Sequence, residues 1–193
     1  HHCAEALAST WLLAAAMDLL DREARAERLA PAAVRVGLAL AAALLLWPGC
    51  LLYAAIVEAG LALAWLAPAR GGATRAVAFG RAFALVQATA FAAVLPLAAT
   101  AGPTRFGPWS PLVLSRLQPL AFAALGAVAV ACAMLWQRRP ELGRTAAARL
   151  ACAAGVALAL AAVWAPALPE LWRGAADAGD WLARRESFQG VVA

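Results

Sequence analysis

The sequence predicts an all-α membrane protein, a polytopic bundle of about six transmembrane helices with both termini on the extracytoplasmic side. Three observations carry this. Hydrophobic residues make up 65% of the 193, and mean hydropathy is +0.75, against about 45–50% apolar residues in soluble domains. The apolar residues recur in runs of the length that crosses a bilayer. All 16 basic residues are Arg, and they gather in the short pieces between runs. The net charge of +5 therefore reads as loop arginines under the positive-inside bias and not as a nucleic-acid surface.

Taken in order, the first expected span is about 4–20, ended by the charged "DREARAER". The second is about 34–47 and the third about 51–67. Together they could pass for one helix, but one helix of that length is too long for a hydrocarbon core about 30 Å thick. "WPG" at 47–49 supplies the break: Pro48 has no amide hydrogen, Gly49 permits a turn and Trp47 suits an interface. The fourth span is about 77–100, with a kink expected at Pro96 near its outer end. The fifth is about 117–136 and the sixth about 150–165. Residues 1–166 thus form the bundle, and 167–193 an extracytoplasmic loop carrying an interfacial helix with Trp172 and Trp181.

Charge sets the sides. Arg22, Arg25, Arg28 and Arg35 precede the second and third spans; Arg70, Arg75 and Arg81 follow them. Two crossings return the chain to the same face. Arg138, Arg139, Arg144 and Arg149 in the loop before the sixth span join that side, so eleven of the 16 arginines face the cytoplasm. An even span count then puts His1 and Ala193 outside together. There is no signal-peptide pattern at the start. The missing initiator Met and the abrupt "SFQGVVA" are expected of a piece of a longer protein.

Few residues can carry chemistry. The four cysteines, Cys3, Cys50, Cys132 and Cys152, form no C-x-x-C pair and read as small packing residues. Asp18 lies near the cytoplasmic end of its span and can snorkel. Glu58 is mid-span in "AAIVEAGLA", and either hydrogen-bonds a neighbouring helix or serves as a proton or ion relay. The histidines of the chain are the adjacent pair His1 and His2, with Glu5 one helical turn on. Imidazole beside carboxylate is a mixed N/O metal set. A tag remnant and an ordinary interfacial pair are the alternatives.

"HHCAEALASTWLLAA" resembles the stretch after the second acidic motif in the oligosaccharyltransferase catalytic-subunit family, archaeal and bacterial membrane glycosyltransferases of the GT-C class. "GLALAAALLLWPGCLLYAAIV" resembles the Gly-Leu-rich span and Trp-Pro-Gly turn that follow there. "SFQGVVA" resembles the run-in to the family's outer-loop Glu motif. The resemblance implies a GT-C-like bundle with six spans between two external motifs. It implies transfer of a glycan from a polyprenyl-linked (di)phosphate oligosaccharide to an acceptor, in the best-known members the side-chain amide of Asn in an acceptor polypeptide and in a neighbouring version a lipid or another glycan, with Mn²⁺ or Mg²⁺ as cofactor. It assigns His2 as metal ligand, places His1 near the donor phosphates, and puts Glu5 behind the ligand as its orienting partner. Arg105, Arg173, Arg184 and Arg185 become outer-face candidates for phosphate contact. Cys3 stands where the family has Val. The catalytic Asp before His1 and the Glu after Ala193 are expected outside the chain, so no catalytic residue lies within it and the piece alone is expected to be inactive. The implied location is the cytoplasmic (inner) membrane, with the active face outward and lipids but no nucleic acid as further partners. Two other readings stay open: a permease segment with Glu58 as coupling residue, and a structural subunit with no site. "WPG" has no counterpart in the second half, as a repeat-built transporter would offer.

Overall fold

A computed structural model describes residues 2–46, 50–67, 72–100 and 114–163, together with 169, 170, 172, 173 and 176. The described residues form six α-helices: α1 (His2–Ala24), α2 (Ala30–Leu46), α3 (Leu51–Leu66), α4 (Gly72–Thr100), α5 (Leu117–Arg138) and α6 (Ala146–Val163), with a 3₁₀ turn at Pro140–Gly143 between the last two. Among the described residues there is no strand. All six expected spans are helices, each running further at one or both ends than its apolar core or ending within two residues of it.

Helix ends follow local chemistry. α1 closes on two backbone bonds, Ala26 N–H to the Glu23 carbonyl at 3.1 Å and Glu27 N–H to the Arg22 carbonyl at 2.9 Å. Ala26 sits between them at φ 58°, in the left-handed region that glycine usually fills. The Ser115 hydroxyl accepts from Leu117 N–H at 3.1 Å at the start of α5, and the Thr145 hydroxyl accepts from Ala148 N–H at 3.2 Å at the start of α6. Each satisfies a first-turn amide that has no helical partner. α2 and α3 end and begin on either side of the Trp-Pro-Gly stretch, which itself lies outside the described residues.

α4 is the axis of the bundle and packs against α2, α3 and α5. Its buried residues Ala76, Gly80, Phe83, Gln87, Ala90, Val94 and Ala98 recur at spacings of three or four, one continuous stripe. It continues as helix through Pro96 to Thr100, whose hydroxyl donates back to the Pro96 carbonyl at 3.0 Å. α2 comes very close to it. A Cβ on Gly37 would lie 2.6 Å from both the Val86 carbonyl oxygen and Thr89 Cβ, the small-residue approach by which helices pack when no hydrophobic effect drives them together.

The helices alternate in direction, so the Arg-bearing ends of α1, α2, α4, α5 and α6 meet together with the C-terminal end of α3. Asp18 of α1 accepts from Arg22 at 3.0 Å and from Arg35 of α2 at 2.5 Å. Arg75 at the start of α4 pairs with Glu23 at the end of α1, 3.1 Å apart. Arg81 donates to Gln137 at the end of α5 at 2.8 Å. Grouping of these arginines at one end matches the expectation from charge.

The outer surface is apolar. Leu7 and Met17 of α1, Leu52 and Leu63 of α3, and Leu150 and Leu158 of α6 are each at least 59% exposed. Water-soluble monomers rarely present such continuous apolar area. α1, α4, α5 and α6 are long and apolar enough to cross a membrane, which marks the chain as a helical membrane protein. α2 and α3, at 17 and 16 residues, rise only about 25 Å, short of a full hydrocarbon core.

Candidate functional site

The end opposite the arginines is where the first helix begins. The His2 backbone belongs to α1, while its side chain lies outside the described residues, as do His1, Arg105, Arg184 and Arg185. Glu5, in the first turn of α1, is half-buried and lies close enough to the Cys50 thiol, ahead of α3, for the two to interact electrostatically. Its backbone carbonyl also accepts from the Ser9 hydroxyl. Cys3 and Arg173 are exposed. Among the described residues, the expected site residues are brought together nowhere; Glu5 has Cys50 within electrostatic range. The interfacial helix expected in 167–193 lies almost wholly outside the described residues.

Among the described residues no cluster of three or more His, Cys, Asp or Glu could hold a metal ion. At the Glu5 end they offer one carboxylate and one buried thiol. A hard divalent cation takes about six oxygen ligands, several of them from protein or substrate, so these two groups do not by themselves make a Mg²⁺ or Mn²⁺ site.

A second polar feature lies inside the bundle. Glu58 of α3 points at Gln87 of α4, and Gln87 Nε2 donates to Glu58 Oε2 at 2.7 Å. Gln87 is fully buried at 0% exposure. Glu58 Oε1 and Gln87 Oε1 are buried as well and have no hydrogen-bond partner. The helix-to-helix hydrogen bond expected of Glu58 is present. Its partner was missed by sequence reasoning, although "FALVQATAF" carries the signal: Gln87 is the one amide in the long apolar run of α4.

The third feature corrects the sequence reading of Arg149. Counted there among loop arginines, it lies in the first turn of α6 and is fully buried. Its guanidinium donates to four carbonyls: Gly143 at 2.8 Å, Trp65 at 3.3 Å, Gly72 at 3.2 Å, and Ala67. Its Cζ stands 5.9 Å from the centre of the Trp136 ring. Trp136 packs on Trp65 with centroids 5.2 Å apart, and Trp65 on Phe83 at 5.8 Å. This one side chain ties the end of α3, the start of α4 and the α5–α6 turn to α6. At the same end of the bundle, a cleft of about 420 Å³ is lined by Glu23, Glu27, Arg75, Arg81 and Leu85.

Comparison of the chain with protein-family models, with curated proteins and with solved structures gives no match.

Proposed function

We propose that the chain is the central membrane part of an oligosaccharyltransferase-like glycosyltransferase. One observation of the fold supports it. Because the Arg-bearing ends of α1 and α6 meet those of α2, α4 and α5, the His2 end of α1 and the Val163 end of α6 both point to the other end of the bundle. An enzyme whose two motifs must share a cation needs this disposition. With six crossings and the arginines cytoplasmic, that end is extracytoplasmic, in the inner membrane.

In this assignment the chain supplies a scaffold and one metal ligand, the His2 imidazole. Glu5 sits one turn along α1 and orients that ring by accepting its second N–H, as carboxylates commonly do behind ligating histidines. His1 and the outer arginines Arg105, Arg173, Arg184 and Arg185 face the donor's phosphates, where guanidinium forks suit phosphate oxygens. A bound Mn²⁺ or Mg²⁺ would offset diphosphate charge on the leaving group. The donor is a polyprenyl-linked oligosaccharide and the acceptor an Asn-bearing polypeptide.

The decisive experiment replaces His2 by Ala in the full-length protein and follows Mn²⁺-dependent glycan transfer from a polyprenyl diphosphate donor to an Asn-containing peptide. The expected result is a half-saturating Mn²⁺ concentration raised at least about tenfold. Unchanged metal dependence removes His2 from the site. The parent gene is also expected to encode Asp directly before His1 and Glu directly after Ala193.

A second reading, a permease segment coupled through Glu58, is favoured by one observation, the buried Glu58–Gln87 pair. It requires that vesicles containing the protein take up a solute and that Glu58→Gln abolish the uptake.

A further inference from the structure

We propose that Glu58 and Gln87 form a single-proton site: a neutral carboxylic acid and a primary amide closed into a ring of two hydrogen bonds across α3 and α4. One bond exists already, Gln87 Nε2 to Glu58 Oε2 at 2.7 Å. The two remaining oxygens, Glu58 Oε1 and Gln87 Oε1, are both buried and both unpartnered. Two acceptors cannot satisfy each other. Turning the amide over leaves the same deficit, because its oxygen would then face the carboxylate and its N–H₂ would be orphaned. One proton on Glu58 Oε1 cures both faults. It donates to Gln87 Oε1, so both orphaned oxygens gain a partner and the facing edges are joined by two hydrogen bonds, with the second amide N–H of Gln87 outside the ring.

The surroundings leave no other source of compensation. α3 packs against α1, α2, α4 and α6. On α1 and α2, Asp18, Arg22 and Arg35 bind one another, and Asp21 pairs with Arg25. Glu23 takes Arg75 of α4, while Arg81 of α4 is turned to Gln137 of α5. Arg149 of α6 is spent on backbone carbonyls. All of these lie at the Arg-rich end, and Glu5 lies beside Cys50 at the opposite one. Cys152 of α6 faces Cys132 of α5, their sulfurs 4.0 Å apart. No cation among the described residues reaches Glu58, so an ionised carboxylate there would be an uncompensated charge in a low-dielectric interior, where groups take up a proton instead. Gln87 is itself fully buried. α5 presses on its base, where a Cβ on Gly126 would lie 3.2 Å from Gln87 Cβ.

The consequence is a proton-dependent clasp between α3 and α4. Loss of the proton sets Glu58 Oε1 against Gln87 Oε1 and strands a charge, so the mid-helix tie between α3 and α4 is made only while the site is loaded, whereas the Trp65–Phe83 contact and the Arg149 bonds at the Arg-rich end do not depend on it. This holds whichever activity the whole protein has.

The test uses the full-length protein in lipid nanodiscs. In ¹³C-glutamate-labelled wild type at neutral pH, infrared spectra should show a carboxylic-acid C=O stretch that is lost in Glu58→Gln and moves to higher frequency in Gln87→Leu, where the acid loses its amide partner. Gln at 58 reproduces the ring with its own N–H₂, so Glu58→Gln should match wild type in melting midpoint at acidic pH. An unfolded glutamate ionises near pH ~4.3 while the loaded pair keeps its proton, so wild-type stability must fall as pH rises above that value. The Glu58→Gln midpoint should lack this fall and lie above wild type at alkaline pH. Three results would each overturn the site: a carboxylate band instead of an acid band removed by Glu58→Gln, an acid band unmoved by Gln87→Leu, or a wild-type midpoint raised by Na⁺ at fixed pH and ionic strength, which would indicate a metal cation in place of the proton.

Discussion

Arg149 offers the sharpest quantitative test of the fold. Replacing it with Met keeps length and apolar stem but removes every donor. Four carbonyls then lose a charged partner: those of Trp65 and Ala67 at the end of α3, Gly72 at the start of α4, and Gly143 in the α5–α6 turn. Hydrogen bonds to charged groups contribute about 1.5–3 kcal/mol each. Four at the low end would sum to about 6 kcal/mol, but the contributions are not independent. Carbonyls at the end of a bundle also regain water once the side chain is gone. A buried acceptor left without its donor costs about 1–3 kcal/mol, and with some of the four rehydrated we expect about 3–4 kcal/mol for Arg149→Met. Lys restores a charge with three donors but neither the planar fork nor the stack on Trp136, so Arg149→Lys should recover about half of that loss. The measurement is equilibrium unfolding in mixed micelles, with Trp fluorescence as a local probe of the Trp65–Trp136 contact. If Arg149→Met falls within about 0.5 kcal/mol of wild type, the range of an ordinary surface change, the guanidinium is not holding four elements together. If Lys is no better than Met, charge contributes nothing and the effect is steric.

Two further perturbations probe the packing. Gly37→Ala puts a methyl 2.6 Å from the Val86 carbonyl and Thr89 Cβ; α2 and α4 must part, and the expected loss is about 1–2 kcal/mol despite the better helix propensity of Ala, read by the same unfolding assay. A neutral or stabilised variant would mean the helices do not touch there. Ala26→Gly relieves a left-handed residue at the end of α1 and should raise stability by about 0.5–1 kcal/mol, with a lowered midpoint counting against that turn.

Much of the architecture is legible from residue order. Each apolar run became a helix because, in lipid, a lone backbone segment can satisfy its amides and carbonyls only by helical bonding. α2 ends at Leu46 and α3 begins at Leu51, on either side of the Trp-Pro-Gly stretch where the missing proline N–H and the low helix propensity of glycine put the expected break. The Arg grouping followed from the reversal between α2 and α3, since two helices running in opposite directions return the chain from Arg35 to Arg75 at the same end of the bundle. The polar partners were far less legible. Glu58 announces itself by being charged in an apolar run, yet nothing local says that Gln87, 29 positions on, will meet it. Arg149 looked like its neighbours Arg138, Arg139 and Arg144 because burial is not written in a residue's own surroundings. The histidine end stays where the sequence left it, as a motif with Glu5 beside it.

By itself, then, the order of residues determined where the helices lie, which ends carry charge and how the chain must reverse, because backbone hydrogen bonding and membrane thickness act on each segment separately. Only the tertiary structure decided that Gln87 answers Glu58, that Gly37 lets α2 touch α4, and that Arg149 closes over the ends of three neighbouring segments. Those outcomes depend on which faces of separate helices turn toward each other, and that choice is made by side chains far apart in the chain competing to fill one shared interior.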